Sequence, residues 1–134
     1  MKTPLADMEQ IARALLDREL AELRTQAQAV ARCRSAVAAL SAAQARRGQA
    51  LAAGGAETDL AHLTGRDSIW QDWVRRERAS RQARMAQALA EQEARRLSAR
   101  RAFGRAEALG ALRLREETER QMVQRRRFGL DDHA

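Results

Sequence analysis

At 134 residues the chain has the length of one ordinary domain, but 3% aromatic content and an alanine-dominated apolar fraction leave few large side chains for a thick core. Alanine, arginine, glutamate, glutamine and leucine dominate, valine and isoleucine are scarce and tyrosine is absent, which excludes a sheet-built domain and predicts an all-α fold. The formal net charge of +7, carried almost wholly by arginine with Lys2 the only lysine, points to an acidic partner.

Thr3 followed by Pro4 reads as a helix start, with a hydroxyl to take an orphan N–H and a proline where no N–H is needed. From there core-compatible residues recur at Leu5, Met8, Ala12, Leu16, Leu20, Leu23, Ala27, Val30, Cys33, Val37 and Leu40, in steps of three and four. That spacing predicts a coiled-coil seam along a first helix over about 4–53. Gly48 weakens its last turns, and Gly54-Gly55 ends it in left-handed geometry.

A connector over 54–67 follows, in which Thr58–Thr64 forms a short helical turn closed by Gly65, with Leu60 and Leu63 covering the end of the pair of helices. Ser68-Ile69-Trp70-Gln71 fits a capping box and predicts a second helix over about 68–128. Its seam is read at Met85, Leu89, Gln92, Arg96, Ala99, Phe103, Ala106, Gly110 and Arg113, with the register around 75–98 left open.

Chain reversal in the connector gives an antiparallel two-helix coiled-coil hairpin, one elongated unit over 1–134. Leu15 and Leu16 then face Phe103 and Ala106, and Ile11 faces Gly110. Ala102, Ala106 and Gly110, four apart, either let the backbones approach closely or mark a local kink at Gly104 or Gly110. Helices of roughly 70 and 90 Å leave the C-terminal end projecting, either as a docking element or as a frayed tail.

Catalytic and cofactor sites need groups converging on an enclosed pocket, which such a hairpin lacks, so no enzyme activity, cofactor or metal is expected. His62 and His133 lie apart, and Asp131-Asp132-His133 is a weak metal-ligand candidate. Cys33 on the seam reads as a small apolar residue, or as a reactive thiol beside Arg32 and Arg34 if exposed. Without a secretory signal or a long apolar run, the expectation is a cytoplasmic protein, peripheral at the inner face of the cytoplasmic membrane at most.

Two clusters read as partner-binding. Trp70, Trp73 and Val74 sit beside the connector, either as core of that end or as a hot spot. Arg125, Arg126, Arg127 and Phe128 mark the projecting end. Nucleic acid is disfavoured because Glu77, Glu91, Glu93, Glu107, Glu116, Glu117 and Glu119 interrupt the arginine run and stacking aromatics are missing.

The segment Trp70-Gln71-Asp72-Trp73-Val74 is similar to an aromatic-x-x-aromatic-aliphatic segment, and Leu130-Asp131-Asp132 to a leucine–acidic–acidic tail, both of the FliJ family. With the hairpin pattern over nearly the whole chain, the sequence resembles these flagellar type III export stalk proteins and their injectisome counterparts, the YscO group. The resemblance implies a stalk like the central shaft of rotary ATPases, its paired ends entering the export ATPase ring and its hinge side, with Trp73, facing the export gate. Export chaperones are further partners it implies. The alternatives are an arginine-rich hairpin binding nucleic acid or ribosome, and a homodimeric coiled-coil scaffold.

Overall fold

The computed structural model describes residues 3–55 and 57–132. The chain is all-α, with no strand among the described residues. Helix α1 runs Pro4–Ala50, a single π-helical turn continues over Leu51–Gly55, α2 is the short Leu60–Leu63, and α3 runs Arg66–Asp132. Thr3 caps α1, its Oγ1 accepting from the Ala6 amide at 3.2 Å. Gly54 at φ 95° breaks the end of α1, and Gly65 at φ 78° separates α2 from α3, both in left-handed backbone that side chains disfavour.

Helix α3 begins two residues before the capping box expected at Ser68. Gly65 already lets the chain turn, its carbonyl accepting the Ile69 amide, and Asp67 supplies negative charge in the first turn. The Gln71 side chain turns instead to Gln44, accepting from its Nε2 at 3.0 Å. Leu60 and Leu63 are exposed and do not close over the helices.

The described chain forms two compact units. One combines the chain up to Leu23 with that from Ala94 onward. In it Ala12 and Leu16 of α1 pack with Ala102 and Ala106 of α3, and Leu109 lies against them. Glu9 pairs with Arg113, Arg13 with Glu107 and Glu22 with Arg95, so numbers rise on α1 as they fall on α3. Ala102 and Ala106 are fully buried, and a Cβ built on Gly110 would come 3.0 Å from the Glu9 carboxylate. The small-residue row therefore serves close approach, and at Gly110 it makes room for a charged side chain rather than for backbone.

The other unit is Arg24–Glu93. Val30 and Leu40 of α1 and Val74 and Ala88 of α3 are its buried apolar residues. Polar side chains cross between the helices here too. Gln26 Nε2 donates to the Ala88 carbonyl at 2.9 Å, and Arg81 Nη1 donates to the Ala36 carbonyl at 2.9 Å. Arg78 donates to Gln44 Oε1.

Burial corrects the seam in a regular way. On α1 the inward positions are Leu5, Glu9, Ala12, Leu16, Glu19, Leu23, Gln26, Val30, Cys33, Val37, Leu40, Gln44 and Arg47, each buried or half-buried and spaced in strict steps of four and three. Met8, Leu20 and Ala27, expected inside, are exposed beside Glu9, Glu19 and Gln26, which take their places. On α3 the row is Val74, Arg78, Arg81, Met85, Ala88, Gln92, Ala99, Ala102, Ala106, Leu109 and Arg113, each buried or half-buried, with the exposed Arg95 in step between Gln92 and Ala99. Phe103, expected on the seam, is 55% exposed, because Ala102 occupies the inward position where α1 comes too close for an aromatic ring. Ile11 and Leu15 likewise face outward.

Replacing Ala106 with leucine should therefore overpack the seam and destabilise the protein by about 1–3 kcal/mol. Phe103→Ala, at an exposed position, should change stability by less than about 0.5 kcal/mol. Urea unfolding followed by circular dichroism checks both, and the opposite ranking would mean that Phe103 is the inward residue.

Candidate functional site

The described residues hold no group of three or more His, Cys, Asp or Glu arranged to bind a metal, and no helix among them is long and apolar enough to cross a membrane. Asp131 and Asp132 close α3, while His133 lies outside the described residues, as do the side chains of Leu130-Asp131-Asp132 in the proposed tail motif. Cys33 is half-buried in a shallow depression with Arg32, Arg81, Arg84 and Glu77.

Near the connector the two tryptophans part company. Trp70 is half-buried and lines a hollow with Ala43, Ala61 and the stems of Arg46 and Arg47. Trp73 is 45% exposed, and Ile69, one turn before it, is more exposed still. Val74, expected to meet a partner, has no accessible surface and belongs to the core of its unit. Its position on the heptad row, seven before Arg81, draws it inward while Trp73 is turned out.

What shapes this end is a contact that sequence reasoning missed. Arg47 Nη1 and Nη2 each donate to Asp59 at 2.7 Å, one to either carboxylate oxygen, and Arg47 Nε donates to Asp67 Oδ1 at 2.6 Å. One guanidinium thus ties the last turn of α1 to the N-cap of α2 and the first turn of α3. Asp59 also accepts the His62 amide at 3.0 Å, so the same carboxylate caps α2 and takes the fork of Arg47. The hydrogen bond from Arg47 and that from the His62 amide hold Asp59 well below the usual carboxylate range, and the hydrogen bonds to Asp59 and Asp67 raise Arg47. The available signal was Arg47's place on the heptad row seven residues after Leu40.

At the far end of α3, every side chain from Glu117 to Phe128 is exposed. Arg125, Arg126 and Arg127 are consecutive, so they point about 100° apart and spread over about half of the helix circumference rather than lining one narrow face. Met122, Val123 and Phe128 add apolar surface among them. Pairs one turn apart, Arg113–Glu117, Arg115–Glu119 and Glu116–Arg120, support the helix leading into this segment, at about 0.2–0.5 kcal/mol each. Arg113 is raised by its hydrogen bond to Glu9 and then by the Glu9 and Glu117 charges. Other arginines of α3 are committed to α1, Arg78 and Arg81 in one unit and Arg95 and Arg113 in the other.

The Arg47 clamp has a defined pH dependence. Because Asp59 is depressed, its contribution is complete above the ordinary carboxylate value of 3.8 and disappears only as pH falls through the lower folded-state value. Arg47 is raised by its hydrogen bonds to Asp59 and Asp67 and keeps its charge throughout this range. Arg47→Met should speed amide exchange over Thr58–Thr64 roughly tenfold at neutral pH, and the gap from the unsubstituted protein should close in strong acid. Equal exchange at neutral pH would show that the clamp does not hold the connector.

Comparison with protein-family models, with curated proteins and with solved structures finds no match.

Proposed function

We propose that the chain is an antiparallel two-helix coiled-coil hairpin acting as a non-enzymatic stalk or adaptor of the flagellar type III export apparatus, linking the export ATPase ring to the export gate and assisting chaperone or substrate handling. The observation that carries this reading is the end of α3, where three successive arginines spread over about half of a helix whose side chains are all exposed from Glu117 to Phe128. Positive charge spread over more than one face of a helix suits a partner that wraps it, as a ring lumen does, better than a flat surface that would engage one face. The exposed pair Ile69 and Trp73 supplies a second contact of different chemistry, apolar and near the connector, suited to a gate protein. The resemblance of Trp70–Val74 to the FliJ segment agrees with that polarity.

A basic hairpin for nucleic acid is the weaker reading, since arginines that such a partner would need are engaged across the helix pair. A homodimeric scaffold is tested by the same preparations through sedimentation.

Substituting Arg125, Arg126 and Arg127 together by alanine should weaken binding to the export ATPase of the source cell by at least about tenfold, most clearly at low salt. Circular dichroism should show the helices retained. Trp73→Ala should reduce binding to the cytoplasmic part of the export gate while leaving ATPase binding intact. Unchanged ATPase binding by the triple variant overturns the reading.

A further inference from the structure

The unit containing both ends of the described chain carries large apolar side chains outside its seam. Met8, Ile11 and Leu15 occupy successive turns of α1, and Ile11 is 63% exposed. With Ala108, Leu109 and the stem of Arg105 on α3 they line an open groove of about 430 Å³. Leu112, one turn beyond Ala108, is also exposed and extends the apolar surface along α3.

Two further features identify what fits there. Met8, Ile11 and Leu15 step by three and four, and Arg101, Arg105, Ala108 and Leu112 step by four, three and four. Each row therefore repeats the heptad period beside the seam, which is the arrangement that receives the knobs of another helix. A strand or a small molecule has no use for that period. The second feature is charge. Arg101 and Arg105, one turn apart on the α3 border, are exposed and have no ion-pair partner among the described residues.

We propose that this groove takes an amphipathic helix from an acidic partner protein, packed as a third helix against α1 and α3, with carboxylates along the flank facing Arg101 and Arg105. The apolar rows supply the contact area, and the two arginines set which edge of the incoming helix lies over α3. A second copy of this chain fits less well, because its net charge of +7 repels a like molecule and its equivalent surface presents the same two arginines. The proposal does not depend on the export reading, since its residues are separate from Arg125–Phe128 and from Trp73.

Two synthetic peptides of about three heptads, with leucine at the inward positions and either glutamate or lysine on both flanks, distinguish the outcomes when titrated against the full chain by fluorescence anisotropy. The glutamate peptide should bind at least about tenfold more tightly than the lysine peptide at low salt. Ile11→Asp should abolish binding of the glutamate peptide, and Arg101→Glu with Arg105→Glu should reverse the preference between the two. Both positions are exposed, and circular dichroism confirms that the variants remain helical. Equal affinity for the two peptides, or binding indifferent to Ile11→Asp, overturns the proposal. So does a concentration-dependent dimer that Ile11→Asp dissolves in a protein that binds neither peptide, which would assign the groove to a second copy.

Discussion

The constraint on which the rest of the structure depends is that an alanine-rich seam binds helices closely but does not tell them where to stop sliding. Burying a methyl group contributes about 0.8 kcal/mol, and one alanine replaces another after a shift of one heptad at almost no change. Polar members of the seam are different. Gln26 reaches the Ala88 carbonyl, Arg81 the Ala36 carbonyl, and Glu9 meets Arg113. A slip would separate these groups while leaving them half-covered, at about 1–3 kcal/mol for each donor or acceptor left without a partner. In each unit the small apolar residues set the distance between α1 and α3, and the polar ones set the register.

The Arg47 clamp applies the same economy where the chain turns. Among the described residues between Gly54 and Gly65 none that is apolar is buried, so tertiary packing does little to hold them. A planar guanidinium with its donors in a rigid fork can order three backbone segments at once, which a lysine in the same place would do less well. Trp70 covers the neighbouring hollow, and this leaves Trp73 and Ile69 turned outward on the adjoining surface of α3.

Features written in local sequence were legible. Thr3, Pro4, Gly54 and Gly65 act through their own backbone geometry, and the start of α1 and a short helical turn before Gly65 lie where these residues place them, whereas α1 stops at Ala50 rather than at 53. The seam was half legible, and its errors share a cause. At Met8 beside Glu9, Leu20 beside Glu19, Ala27 beside Gln26 and Phe103 beside Ala102, reading by apolar character selected the more apolar or the larger neighbour, whereas the folded chain buries the polar or smaller one. On α1 strict heptad spacing picks out the inward residue each time, whereas on α3 the expected row already had that period and erred in phase, with Phe103 in place of Ala102. The heptad position of Arg47 marks it as inward, but its partners were not legible, because Asp59 and Asp67 converge on it only after the chain has turned.

That inversion, with large residues outside and small ones inside, bears on function. A chain selected only to hold two helices together would place Ile11, Leu15, Phe103 and Leu112 on its seam, where each would add about 1.5–3 kcal/mol. Here they are exposed while alanine is buried. Exposed aliphatic and aromatic side chains do nothing for the stability of the pair and favour aggregation unless something covers them. The high net charge counters aggregation by mutual repulsion, which allows such surface to persist between encounters. In each unit the small residues of the seam set how closely α1 and α3 approach, and the heptad decides which face of each helix leaves its larger side chains outside.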